Sequence, residues 1–290
     1  MYLALTAASI LWGSLYTAAK PAVAMTGAIQ VTLCRVVLAF VCLGLLVVVR
    51  GRAHDLVDQF VKHWRGIIVL GLLNFGLSQM LALSALNFLP ASVNGVLNNT
   101  HPLWVAIGTA VFYPPRQPFV LVGGSAVALL GVVLVFFPDL IARGATVSVI
   151  GVLLSLAGSG VIAIGTVVGR RIMPHSDPIA ISALASGVAI VPVSLLALAT
   201  GGFAPIFEAS GSVKLLLLYV GIGCTAINFA LWYYGLKHMR AAAASAFQYL
   251  IPPVGVGLAG AFLGEPVTAA LLLGTVCILG GLATTQIAAS

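Results

Sequence analysis

Long apolar runs separated by short polar interruptions extend along almost the whole chain. A run of about 20 apolar residues is long enough to cross the hydrocarbon core of a bilayer as an α-helix. These runs are too long and too continuously apolar for barrel strands, and a helix pairs its backbone polar groups within its own segment. The pattern therefore predicts ten membrane-spanning helices, at about residues 2–20, 28–50, 65–87, 90–112, 116–137, 147–170, 177–200, 213–236, 240–262 and 266–287.

The two halves of the chain match at a constant offset of 150 residues, as the pairs Pro102 with Pro252 and Phe112 with Phe262 illustrate. The predicted helix ends keep this register without a gap. Each half holds five predicted helices, an odd number, so the second half enters the membrane from the opposite side. The sequence thus predicts an all-α membrane protein with a 5+5 inverted-topology repeat, with domains at 1–137 and 147–290 and a linker at 138–146.

The lysines and arginines indicate the orientation of these helices. If the N-terminus is cytoplasmic, the cytoplasmic side carries Arg50, Arg52, Lys62, Arg65, Arg116, Arg170, Arg171, Lys237 and Arg240, and the outer side carries only Lys20, Arg143 and Lys214. Cytoplasmic loops are enriched in basic residues, so both termini are predicted to be cytoplasmic. The first run lacks the basic region of a signal peptide and is interpreted as a membrane helix.

Composition changes the picture by excluding several function classes. Apolar residues make up 61% of the chain and charged residues 7%, against about a quarter charged in soluble domains. The net charge of +7 comes from residues at the ends of apolar runs, so no nucleic-acid partner is predicted. The four cysteines show no metal or redox spacing. Because no P-loop or catalytic motif is present, we predict no enzyme, no metal and no cofactor.

Three sequence features resemble those of a known family. They are Leu11-Trp12-Gly13-Ser14, Arg35, and Phe262-Leu263-Gly264-Glu265 before a glycine-rich last helix. With ten helices and a duplication, they resemble the drug/metabolite transporter superfamily, in its ten-helix branch with two EamA-type domains. The resemblance implies export of small metabolites across the bacterial inner membrane, and the chain looks most like amino-acid exporters, including the aromatic group. The first half departs from the motif, because Pro115 stands where the second half has Glu265.

Polar side chains in the middle of the predicted helices mark the candidate substrate site, since such groups are costly in lipid. Asn94, Asn98 and His101 share one face of the fourth predicted helix at i, i+4, i+7 spacing. The matching part of the ninth helix carries Gln248 and Tyr249. The predicted substrate-binding residues are Trp12, Tyr16, Asn74, Ser78, Gln79, Asn98, Asn99, His101, Asn228, Trp232, Gln248 and Tyr249.

Several alternatives stay open at the level of sequence. Amides and hydroxyls also link membrane helices, at about 0.6 to 2 kcal/mol per bond. His101 either satisfies the backbone next to Pro102 or carries a proton. Arg35 closes an outer gate, bonds carbonyls at a helix end, or snorkels. No carboxylate falls at the midplane, which disfavours an acidic proton relay, and the scarcity of deep basic residues favours a zwitterionic or neutral substrate.

These observations predict a monomeric secondary transporter whose partners are a small-molecule substrate and the lipid bilayer. It exports amino acids, including aromatic ones, and related small metabolites from the cytoplasm by alternating access through a central cavity. The alternatives are an exporter of drugs, vitamins or other small neutral metabolites, and a channel-like facilitator.

Overall fold

The computed structural model describes residues 1–112, 117–141, 148–172, 176–238 and 246–289, which contain no strand. Their α-helices are α1 (Tyr2–Thr26), α2 (Ala28–Val49), α3 (Ala53–Leu70), α4 (Ser78–Ser84), α5 (Ala91–Asn98), α6 (His101–Phe112), α7 (Pro118–Ile141), α8 (Val149–Ile172), α9 (Pro178–Ala199), α10 (Ala204–Glu208), α11 (Gly211–Leu218), α12 (Asn228–His238), α13 (Ile251–Leu263) and α14 (Ala269–Ala289). The π-helical segments Gly71–Leu77 and Tyr219–Ile227 join α3 to α4 and α11 to α12, and 3-10 turns cover Ala85–Asn87 and Ala246–Leu250.

Seven helical stretches within the described ranges are long and apolar enough to cross a membrane: Tyr2–Thr26, Ala28–Val49, Ala53–Asn87, Pro118–Val135, Val149–Gly169, Pro178–Ala199 and Gly211–Trp232. Two apolar helices, Phe247–Leu263 and Ala269–Thr285, are shorter. The predicted all-helical membrane fold is therefore confirmed. The count of ten stays a prediction, because the fourth predicted helix is interrupted and residues 239–245 of the ninth and its approach lie outside the described residues.

Two helix breaks lie at matching positions of the two halves. The predicted helix 90–112 is divided, because α5 ends at Asn98 and α6 begins at His101. Proline has no N–H to donate and is tolerated in the first turn of a helix, where Pro102 lies. Pro252 lies likewise in the first turn of α13, directly after a 3-10 turn. The matched prolines thus mark a helix start in both halves.

Two predicted boundaries are wrong by more than a turn. The first helix continues past Pro21 to Thr26 instead of ending near residue 20. The third helix begins at Ala53 instead of residue 65, and His63 (φ −128°, ψ 19°) kinks it just before the predicted start. The segment before the kink is amphipathic, so a search for uniformly apolar runs does not detect it.

Glycines bring α7 and α14, which occupy matching positions in the two halves, into backbone contact. A Cβ atom added to Gly131 would lie 2.6 Å from the carbonyl oxygen of Gly274, and one added to Gly124 would lie 2.9 Å from that of Gly281. The later residue of α7 therefore contacts the earlier residue of α14, and the two helices are antiparallel. Since residues 124 and 131 match residues 274 and 281 in the repeat, the two contacts are exchanged by a pseudo-two-fold rotation.

The matching helices α2 and α9 pack in the same way. Leu33 and Val36, near the start of α2, pack with Val193 in the second half of α9. Leu43, near the end of α2, packs with Ala183 near the start of α9. These helices are also antiparallel, so two pairs of corresponding helices pack against each other between the halves.

Candidate functional site

A cavity of about 1500 Å³ lies between the two halves. Its wall is formed by parts of α1, α2, α8, α9 and α12, both π-helical segments, and the two helix breaks. Nine of the twelve predicted binding residues line it, namely Trp12, Tyr16, Asn74, Gln79, Asn98, Asn99, His101, Trp232 and Gln248. The structure thus brings most of the predicted set together, while their contact with a substrate stays a prediction.

Ser78 and Asn228, which match each other in the repeat, do not line the cavity. Both are fully buried. The Ser78 hydroxyl donates to the carbonyl of Asn74 (2.7 Å), and the Asn228 amide donates to the carbonyl of Ala8 on α1 (3.1 Å). For these two residues the structure supports the alternative in which a polar side chain satisfies or links helices.

The remaining predicted residue, Tyr249, lies beside the cavity. With Asn99, His101 and Gln248 it surrounds a second, much smaller pocket next to Pro252. This pocket lies where the two helix breaks meet, so Tyr249 belongs to the contact between the breaks and not to the main cavity wall.

The break after α5 determines how its amides are used. The Asn98 amide donates to the carbonyl of Ser155 on α8 (3.3 Å), and the Asn99 amide donates to the carbonyl of Gly95 (2.7 Å). Because α5 ends at Asn98, the predicted continuous face from Asn94 to His101 is interrupted. Asn94 is fully buried and donates to the carbonyl of Ala82 (2.8 Å), away from the cavity.

Arg35 is a cavity residue that the sequence analysis did not place there. Only 6% of its surface is exposed, which excludes snorkelling. Its guanidinium donates to the side-chain oxygen of Gln79 and, at 3.2 Å, to the hydroxyl of Thr225. Both acceptors also line the cavity. This positive charge in the cavity wall is therefore held by neutral groups of both halves.

The π-helical segments explain why the cavity face differs from the predicted one. The Gln79 amide donates to the carbonyl of Asn74 (3.2 Å), and the Thr225 hydroxyl donates to that of Val220 (2.9 Å), each five residues earlier. A π-helix turns less per residue than an α-helix, so positions five apart lie above each other. Asn74 and Ser78, four residues apart, would share a face of an α-helix. Here Gln79 lies on the same face as Asn74 instead.

Aromatic rings form the apolar part of the wall. Trp12 and Trp232 have ring centroids 5.2 Å apart, and Trp12 meets Phe229 edge to face at 5.9 Å. Phe75 extends the cluster, with its centroid 5.6 Å from that of Phe229. Such a cluster is suited to an apolar or aromatic group. The two phenylalanines were not predicted, and their wall positions depend on the π-helical segments.

The cavity extends to one end of the helices, where polar residues surround it. Arg50, Arg52, Gln59, Asp177 and His238 all line this end. Arg52 forms an ion pair of 2.9 Å with Asp177 at the start of α9. Arg50 also lies at this end, so the cavity mouth carries at least two arginines.

The opposite end is held together by Glu265. Gly264 ends α13 with a left-handed backbone (φ 65°), which glycine adopts without strain. The Glu265 carboxylate accepts hydrogen bonds from the backbone N–H groups of Ala91 (2.6 Å) and Ser92 (2.9 Å), from the Ser92 hydroxyl (2.6 Å), and from Lys20 (3.0 Å). It thus caps the positive N-terminus of α5 and pairs with α1. We call these four residues the Glu265 network.

The Glu265 network is formed in the half of the chain that carries the complete motif Phe262-Leu263-Gly264-Glu265. Residues 113–116 of the first half lie outside the described residues, but Pro115 at the matching position has no carboxylate. The motif ending in Glu265 therefore supplies its charge at only one end of the molecule.

The Glu265 network leads to a pH prediction. Burial raises the pKa of the Glu265 carboxyl, but hydrogen bonds from Ser92, Ala91 and Lys20 outweigh burial and hold the pKa below its usual value of 4.5. A lowered pKa contributes stability above the unfolded pKa, and this stability is lost as the pH falls through the folded pKa. We expect the difference in melting temperature between wild type and Glu265→Gln to stay constant from about pH 8 to pH 5 and to shrink below about pH 4.5. A difference that disappears between pH 7 and pH 5 would contradict the network.

No three His, Cys, Asp or Glu side chains come together as a metal site in the part of the chain that the structure describes. The predictions of no metal and no cofactor stay predictions.

Comparison with known proteins indicates a transporter. A sequence model of the EamA-like transporter family matches residues 1–137 and 149–286. An uncharacterized transporter of Archaeoglobus fulgidus is 25% identical over 93% of each chain. A protein of Streptantibioticus cattleyicolor named as a probable terminal-alkyne amino-acid exporter is 28% identical over 96% of this chain and 90% of its own. A Salmonella typhimurium protein named as a probable amino-acid metabolite efflux pump is 29% identical over 61% of both chains.

A solved crystal structure shares the fold. It superimposes with a TM-score of 0.67 at 21% identity, over 99% of this chain and 96% of that one. The names of the relatives indicate a transporter and not an enzyme.

Proposed function

Because the chain belongs to the EamA-like transporter family, we propose that it is a secondary transporter that exports amino acids, including aromatic ones, and related small metabolites by alternating access. The observation that carries the proposal is the cavity of about 1500 Å³, which both halves line and which extends to one end of the helices. A cavity open to one side and closed on the other is what one state of an alternating-access cycle requires.

The antiparallel packing of matching helices supports the inverted 5+5 topology. A two-fold axis in the membrane plane reverses the direction of each helix relative to its counterpart, as in the pairs α7 with α14 and α2 with α9. We infer ten spans in two domains, 1–137 and 147–290, in a monomer. The excess of Lys and Arg on one side supports cytoplasmic termini and a place in a bacterial inner membrane.

In this orientation the cavity mouth faces the cytoplasm and the Glu265 network closes the outer end. The protein would therefore load substrate from the cytoplasm, as an exporter does. Release to the outside requires the Glu265 network to break while the mouth near Arg52 and Asp177 closes. Such an exchange between two discrete packings is the rigid-body type of transition.

Amino acids fit the wall chemistry better than wholly apolar drugs. Side-chain amides of Asn98, Asn99 and Gln248 face the same cavity as the rings of Trp12 and Trp232. Amides hydrogen-bond an ammonium or carboxylate group, and the rings accept an apolar side chain. The names of two relatives, which refer to amino-acid export or efflux, point to the same class.

Counterflow in liposomes tests this function. Liposomes that contain the purified protein are preloaded with each of the twenty unlabelled amino acids in turn. They should accumulate the corresponding labelled amino acid from outside. Repeating the assay with and without a proton gradient identifies the coupling. A carrier of drugs or vitamins would instead show competition by those compounds only. A channel-like facilitator would show flux that does not saturate and no exchange.

The amides at the matching helix breaks give a mutational prediction. We expect Asn98→Ala and Gln248→Ala each to lower transport about tenfold, since each removes a polar group that faces the cavity. Expression should stay close to wild type, and Asn98→Ala should melt slightly lower because the carbonyl of Ser155 loses its donor. The matched controls Asn87→Ala and Gln117→Ala change exposed amides outside the cavity and should transport normally. Wild-type rates in both cavity variants would remove these residues from the site.

A further inference from the structure

Arg35 is a buried cation without an acidic partner. It is 6% exposed and lines the cavity, and its two side-chain partners, Gln79 and Thr225, are neutral. None of the ion pairs among the described residues includes it. Arg50 and Arg52 line the mouth of the cavity, so the Arg35 guanidinium is the positive charge that lies deeper inside it.

Burying the Arg35 guanidinium costs free energy unless an anion pairs with it. Removing a cation from water costs several kcal/mol, which a buried cation recovers by pairing. A guanidinium has five N–H donors in a planar fork that matches the two oxygens of a carboxylate. The two known acceptors leave further donors available for a ligand that enters the cavity.

The protein holds the guanidinium in place with both π-helical segments. Gln79 is anchored to the carbonyl of Asn74 in the first segment, and Thr225 to that of Val220 in the second. Each half thus supplies one oriented acceptor. Such support for a charged group is characteristic of a binding site, because the fork must meet a carboxylate at a defined angle.

The aromatic cluster begins next to this charge. Phe229 follows Thr225 by about one helical turn, and its ring contacts those of Trp12 and Phe75. A ligand with a carboxylate at Arg35 would therefore place its apolar side chain against these rings. An α-amino acid with a large apolar side chain has the matching groups, a carboxylate for the charge and a side chain for the rings.

We propose that Arg35 binds the α-carboxylate of the transported substrate and that the rings of Trp12, Phe75, Phe229 and Trp232 receive its side chain. This inference rests on the proposed export of amino acids and names the group that selects them. It assigns Arg35 a role in specificity in addition to its contacts within the protein.

Two ligands that differ only in the carboxylate provide the test. L-phenylalanine and 2-phenylethylamine share the ring and the amino group. Competition by each against labelled L-phenylalanine in counterflow, with saturation binding as a second measurement, gives their affinity ratio. For the wild type we expect phenylalanine to bind about 100-fold more tightly. In Arg35→Gln the ratio should fall close to one.

A second variant avoids dependence on the folding of Arg35→Gln. In Gln79→Glu the shape is nearly retained and Arg35 acquires an internal carboxylate, which should compete with the substrate. The new ion pair should offset the lost hydrogen bond from the Gln79 amide to the carbonyl of Asn74. We expect this variant also to lose the preference for phenylalanine, although its melting temperature does not fall. Lys214→Gln removes an exposed cation outside the cavity and should keep the wild-type ratio.

The outcomes separate the two proposals. Equal wild-type affinity for the two ligands, or an unchanged ratio in Gln79→Glu, would overturn the role of Arg35 while counterflow of amino acids still supported the export function. Failure of the wild type to exchange any of the twenty amino acids would overturn the export function itself, and the role of Arg35 with it.

Discussion

Replacing Gly131 with valine is expected to prevent the close packing of α7 against α14 and to lower the melting temperature of the purified protein by about 10 °C. A Cβ atom at Gly131 would lie only 2.6 Å from the carbonyl oxygen of Gly274 and 2.7 Å from the backbone nitrogen of Ile278. Backbone atoms cannot move aside as a flexible side chain can. The helices would have to separate, with a loss of about 3 kcal/mol.

The same helix provides a matched control. Gly123 is exposed, and a Cβ atom added there meets nothing within 4 Å. Gly123→Val should therefore melt within about 2 °C of wild type. Thermal melts in detergent, followed by size-exclusion chromatography, measure both variants. Equal melting temperatures for Gly123→Val and Gly131→Val would show that the helices do not pack as described.

Replacing Glu265 with alanine is expected to open the end of the cavity that the Glu265 network closes. The change removes the acceptor of the N–H groups of Ala91 and Ser92, and the ammonium of Lys20 keeps only the carbonyl of Leu89. Loss of the shared acceptor from this partly exposed ion pair costs about 2 kcal/mol, which corresponds to a shift of about 30-fold in the balance between closed and open states. Because this energy stabilises only the closed state, its loss favours the open one.

Distance measurements between spin labels can follow this opening. Met25 follows Lys20 in α1 and Val267 follows Glu265, and both are exposed, so labels there should disturb the packing little. In a variant without the four native cysteines, Glu265→Ala should add a longer distance to the distribution. Glu208→Ala, which removes an exposed carboxylate, is the control and should leave the distribution unchanged. The same distances in Glu265→Ala as in its parent would exclude a gating role.

Most of the binding residues predicted from single helices do line the cavity, but the prediction failed at definable places. Asn98, Gln248 and Trp12 were found because amides and rings in apolar runs are conspicuous in a sequence. Ser78 and Asn228 were assigned to the cavity at α-helical spacing, and both lie elsewhere. The π-helical segments next to them rotate the following side chains about the helix axis relative to an α-helix. The residue pattern did not predict these segments.

The glycines illustrate the same limit. Gly123 and Gly124 are neighbours of identical chemistry, as are Gly280 and Gly281. A Cβ atom added to Gly124 or Gly281 would clash with the opposite helix, while one added to Gly123 or Gly280 would meet nothing within 4 Å. The sequence predicts that helices with such residues approach closely. Which residue of each pair makes the approach depends on how the two helices are rotated against each other.

By itself, the sequence determined the helical membrane fold and the 150-residue register in which Pro102 matches Pro252. The fold follows from the length and apolarity of single segments, whereas the helix break before Pro102 is seen only in the structure. Only the tertiary structure decided that Arg35 faces the cavity and that Glu265 reaches α5, more than 170 positions away in the chain. Such contacts depend on the relative position of separate helices, which local patterns do not encode.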